Sequence, residues 1–205
     1  MSGVTVRFLG SGDAFGSGGR LQACVRVRAD SASLLLDCGA SSLIAMRRFG
    51  VDPNEIGAII VSHLHGDHFG GIPFFILDAQ LVSKRTRPLT IAGPEGLRER
   101  VMQAMEVLFP GSSQVQQRFP IQFVQLRDQE TADIDSNTIT PFEVVHASGA
   151  PAFALRIDLD SKVIAYSGDT EWTDALLDGR AEPISSSARR TSSRRRCGTT
   201  WTTRR

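Results

Sequence analysis

The chain has 205 residues, 41% of them hydrophobic, which suits one compact domain and is short for two. Its formal net charge of +1 conceals a division: residues 1–179 carry 15 Lys and Arg against 21 Asp and Glu, whereas residues 180–205 carry eight Arg against one Glu. No apolar run approaches about 18 residues, and MSGVTVRFLG has no basic start leading into a long apolar stretch, so the expectation is a soluble, cytoplasmic protein with no membrane partner.

In chain order, Val4–Leu9 and Leu21–Ala29 alternate as half-buried strands, and SLLLDCG (Ser33–Gly39) reads as a fully buried one. Ser41 can cap a helix through LIAMRRF, which Gly50 and the turn Asp52-Pro53-Asn54 end. AIIVS (Ala58–Ser62) is a further buried strand. Helices are expected over Ile72–Lys84, with Pro73 in the first turn, and over Pro94–Phe109, separated by a short strand at Leu89–Ala92. After Pro110-Gly111 the pattern turns to β: Ile121–Leu126, Ile139–His146, Ala152–Asp158 and Val163–Ser167, with a helix from near Glu171 that Asp169 could cap. The sum is a mixed α/β domain. The glycines of GSGDAFG (Gly10–Gly16) lead into a strand instead of a helix, so they mark a turn-forming loop and not a dinucleotide site. Phe74, Phe75, Phe109 and Phe119 read as core or pocket wall.

This patterning covers residues 1–178 and stops at 179. Residues 180–205 hold only five residues of the apolar class and show no period of either kind, so they cannot add to a core. They read as a disordered Ser/Thr/Arg-rich tail, of the sort that binds nucleic acid, or as the product of a disrupted reading frame. Cys24, Cys38 and Cys197 are odd in number and form no CxxC pair; they read as small buried apolar residues.

The chemistry concentrates in VSHLHGDHFGG (Val61–Gly71). His63, His65, Asp67 and His68 fall within six positions at a strand end, beside Gly66, and imidazole with carboxylate is the ligand set of Zn²⁺ and similar borderline ions. His63 and His65 alternate and share a side, while Asp67 and His68 emerge after the glycine, which divides the four between two adjacent metal positions.

SHLHGDHFGGIP resembles the HxHxDH motif of the metallo-β-lactamase superfamily, and its wording, together with FLGSGDAFGSGGR, is most similar to the ribonuclease Z and phosphodiesterase branch. The resemblance spans roughly residues 4–178. It implies a four-layer αββα sandwich, here with an incomplete second half, and hydrolysis by a metal-bound hydroxide at one edge of the sheets. It further implies that His63, His65 and His146 hold a first zinc, that Asp67, His68 and Asp169 hold a second with Asp169 bridging, and that Asp37 supports the metal loop from behind. Asp67 would take a proton from the bridging water. Mn²⁺ is the alternative metal. The branch carries one more histidine after the bridging aspartate; this chain has four histidines in all, none beyond His146, so the second zinc is expected to be one ligand short and turnover weakened. The same absence favours a truncated or frame-disrupted C-terminus.

The interval from His146 to Asp169 has room for a hairpin but not for the long tRNA-gripping arm of true ribonuclease Z enzymes. With an acidic body, this favours a phosphodiester or another small ester as substrate over pre-tRNA. Three alternatives stand beside that reading: tRNA 3′ processing, a catalytically impaired remnant, and a basic-tailed nucleic-acid binder. Homodimerisation is left open.

Overall fold

The computed structural model describes residues 3–30, 32–160 and 162–179; the basic tail and Cys197 lie outside them. Among the described residues, ten strands form two sheets. In the first, β1 (Thr5–Gly10), β2 (Cys24–Arg28) and β3 (Ser33–Leu36) run antiparallel. It continues in parallel through β4 (Ala58–Ile60), β5 (Leu89–Gly93) and β6 (Ile121–Gln125). The second sheet is antiparallel, in the order β10 (Lys162–Tyr166), β9 (Ala152–Leu159), β8 (Asn137–Val144), β7 (Ala132–Ile134).

The period-2 alternation of strands sorts the core into layers. Leu35 and Ile59 point to the helices, joining Met46, Phe75, Ile76, Val101 and Met105. Their neighbours Leu34, Leu36, Ala58 and Ile60 point the other way, against Phe153, Leu155, Ile157 and Ile164 of the second sheet. The helices covering the first sheet are α1 (Ser42–Arg48), α3 (Ile72–Leu81) and α4 (Leu97–Leu108). In α4 the buried residues Leu97, Val101 and Met105 recur every fourth position, one face of a helix. Two single-turn helices complete the set: α2 (Gly66–Phe69) in the histidine cluster and α5 (Ala175–Asp178). The outer face of the second sheet, at Val144, Ala152 and Ala154, meets Ala175 and Leu176. The layers are therefore α, β and β, with α5 alone beginning the fourth among the described residues.

Two local expectations are corrected. Ser41 does stand at the N-terminus of α1, but its hydroxyl makes no cap there. It accepts instead from the Gln22 backbone N–H at 2.8 Å, tying the glycine-rich loop to the helix. Nor does a helix begin near Glu171. The Glu171 N–H is taken by the Val145 carbonyl at 3.0 Å and the helix begins only at α5, so Asp169 is not its cap. Of the aromatic residues, Phe75 and Phe119 are core, while Phe74 and Phe109 meet edge to face at 5.3 Å.

Candidate metal centre

Just past β4 come Ser62 and His63, both fully buried. The chain then turns through His65 into α2, and Gly70 and Gly71 link α2 to α3. A tight backbone fit seats this turn on the loop after β3. The Cys38 N–H donates to the His68 carbonyl at 2.6 Å and the Gly71 N–H to the Cys38 carbonyl at 2.8 Å. A Cβ on Gly71 would stand 2.2 Å from the Gly39 carbonyl oxygen, so only glycine permits the approach. His146 arrives just past β8, and Asp169 just past β10.

These pieces converge. The rings of His63, His65 and His146 lie 4.6–4.9 Å apart, centroid to centroid, and one ligand atom from each falls within 4.8 Å of the others. His65 Nδ1 and His146 Nε2 face each other at 3.1 Å. His63, His68 and Asp169 form a second group by the same measure. His68 Nε2 stands 3.5 Å from Asp169 Oδ2 and 3.6 Å from Asp67 Oδ2. The six residues anticipated from the sequence thus share one locus, with His63 common to both groups.

Behind them lies Asp37, wholly buried and in the left-handed backbone region at φ 58°, where non-glycine residues are uncommon and Asp is among the more tolerant. Its carboxylate accepts from Ser62 N (2.7 Å), Ser62 Oγ (2.9 Å), His68 Nδ1 (2.6 Å) and the Tyr166 hydroxyl (2.5 Å). Burial works against the charge on Asp37, yet the His68 ring beside it, with these donors, keeps its pKa below the usual carboxylate value. Burial also opposes charge on His68, but Asp37 and Asp169 outweigh it and lift the ring to about 10. His63 goes the other way: burial, then the neighbouring His68, pulls it down to about 3. A hydrogen bond from His68 leads the causes that hold Asp169 at about 2. His63 Nε2 is buried with no hydrogen-bond partner. An orphaned imidazole nitrogen amid other ligand atoms fits a cation, which is what such a donor set is built to receive.

Ser62 and Tyr166 escaped the sequence reading. The available signal was adjacency: Ser62 directly precedes His63, and Tyr166 sits three positions before Asp169.

A family model described as anti-Pycsar protein Apyc1 matches residues 4–185. The chain belongs to this family. Among curated relatives, a ribonuclease Z of Lachnoclostridium phytofermentans is 36% identical over 129 residues, which are 62% of this chain and 40% of the relative. A ribonuclease Z of Lachnospira eligens is 34% identical over 68% of this chain and 44% of its own length. The chain therefore spans under half the length of these two relatives. Human tRNase Z, short form, aligns with a TM-score of 0.67 and 25% identity, over 87% of this chain and 73% of the human one. The metallo-β-lactamase fold protein YhfI of Bacillus subtilis shares the fold, with a TM-score of 0.66 at 22% identity, over 84% of this chain and 64% of its own. The Apyc1-family chain thus has the metallo-β-lactamase fold and is ribonuclease Z-like. Among the described residues no helix is long and apolar enough to cross a membrane.

Proposed function

We propose that the protein is a divalent-metal hydrolase of phosphodiesters or similarly small esters. The observation that carries this reading is His63 Nε2, buried and without a hydrogen-bond partner, at the junction of the two ligand groups. His63, His65 and His146 would hold one ion. Asp67, His68 and Asp169 would hold a second, with Asp169 shared between them, and Zn²⁺ suits this mixture of imidazole and carboxylate, Mn²⁺ less closely. Ions so held lower the pKa of water and offset charge on a phosphoryl group during displacement. Asp67, only 8% exposed, would take the proton of the attacking water. Asp169 has its side chain about half exposed, and we expect substrate to approach from that side. All four histidines of the sequence are already engaged, so we expect the Asp67–His68–Asp169 side to bind its ion more weakly.

Two features support a small substrate. The interval between His146 and Asp169 is filled by the β9–β10 hairpin, and residues 1–179 carry an acidic excess, a poor footing for a polyanion. The names of the relatives favour a second reading, endonucleolytic tRNA processing. Zinc per chain by elemental analysis and hydrolysis of bis(p-nitrophenyl) phosphate with added Zn²⁺ or Mn²⁺ test the first reading. Absence of bound metal would refute it, and cleavage of pre-tRNA with no action on the small ester would favour the second.

A further inference from the structure

Three donors from separate parts of the fold meet on one atom. Asp37 Oδ2 receives His68 Nδ1 from the metal loop, Ser62 Oγ from the segment just past β4, and the Tyr166 hydroxyl from the second sheet. All four residues are buried, Tyr166 at 3% exposure. Tyr166 is the single tyrosine of the sequence.

The protons in this cluster can be placed by counting. An ionised carboxylate has none to give, so the proton in the Asp37–His68 contact sits on Nδ1 of His68. That leaves Nε2 as the ligand atom, and Nε2 is the one that faces Asp67 and Asp169. Ser62 has one hydroxyl proton and spends it on Asp37. Its contact with His63 Nδ1 at 3.1 Å must then be one in which His63 donates, which frees His63 Nε2, the buried orphan. One carboxylate thereby selects the ligand nitrogen of a histidine in each group, directly for His68 and through Ser62 for His63. Tyr166 fixes that carboxylate from across the sandwich, and it ends the strand that delivers Asp169.

We propose that Ser62 and Tyr166 are positioning residues of the metal centre: through Asp37 both fix which nitrogen His68 presents, and Ser62 also fixes that of His63. Tyr166 further makes closure of the His68 side depend on docking of the second sheet. The inference rests on the metal-centre reading above, and wild-type metal content tests that reading separately.

The test is competition with a zinc chelator on wild type, Tyr166→Phe and Ser62→Ala, together with thermal melting of each metal-free protein. Loss of a hydrogen bond to a metal ligand typically costs about 10- to 100-fold in affinity. Tyr166→Phe should weaken the looser binding step by about that factor, leave the tighter step unchanged and move the metal-free melting temperature little; Ser62→Ala should weaken both steps. Unchanged binding in Tyr166→Phe, or equal loss of both steps with a lowered metal-free melting temperature, would overturn the proposal. Should Tyr166→Phe fail to fold, wild type decides alone. Long-range proton–nitrogen correlation on the zinc-loaded protein should show Nδ1–H on both His63 and His68, and a ¹³Cζ label on the lone tyrosine should shift when zinc loads. An Nε2–H on either histidine, or a silent tyrosine, would count against it.

Discussion

The two sheets contribute to the centre in opposite ways. The first supplies Asp37, His63, His65, Asp67 and His68 from two neighbouring loops, seated on each other by backbone hydrogen bonds. The second supplies His146, Asp169 and Tyr166 only because its strands dock across the sandwich, pinned at the rim by the Phe153 N–H donating to the Ser62 carbonyl at 3.0 Å. One half of the site is local and the other half is tertiary. Stability and metal binding should therefore be separable in the helical layer and inseparable between the sheets.

The largest expected effect comes from His63→Ala, which removes the residue common to both groups. Zinc should fall to about one per chain or less and phosphodiester hydrolysis by at least about 100-fold; retention of a full zinc complement would show that His63 is not a ligand. Next, Phe153→Ala opens a cavity between the sheets, for which about 3–5 kcal/mol is typical. Denaturant titration should show that loss together with weaker zinc binding. A fall in stability with unaltered affinity would mean that His146 and Asp169 do not need tight docking. Met105→Ala, on the helical side of the first sheet, should cost about 2 kcal/mol or more and leave affinity alone.

The smallest effect concerns Cys24, wholly buried, whose thiol burial pushes up to about 12 from 9.0. Folded protein should resist thiol-specific labelling there at pH 8, and mass spectrometry should find the adduct only after unfolding. Above pH 9 the unfolded chain releases a proton that the folded one keeps. Stability is accordingly complete below that pH and declines as pH rises toward 12.

The local half of this arrangement was legible in the sequence, because His63, His65, Asp67 and His68 are contiguous and Asp37 ends a continuous apolar run. The strands were legible for the same reason, since alternation reports burial directly. Single-turn helices such as α2 and α5 were not, being too short for a 3.6-residue period to show. Strand β7 was missed too: three residues, Ala132–Ile134, give an alternation too brief to distinguish from a turn. The Asp37–Tyr166 bond joins residues 129 apart, and a buried tyrosine on a strand looks like any other apolar position until its hydroxyl is seen to have a partner. Of the tertiary half, His146 and Asp169 were reached through the family resemblance, and Tyr166 needed the fold.

The left-handed backbone at Asp37 narrows what can replace it. A β-branched or bulky residue would be strained there, glycine would fit and leave four donors facing nothing, and asparagine would take up the turn readily. Yet asparagine exchanges a charged acceptor for an amide, whose NH₂ would confront the His68 ring if it occupied the Oδ2 position. Anyone transplanting this centre into another scaffold would therefore have to carry the twist of the main chain along with the six proposed ligands, because the shape of that one residue and its charge are selected together.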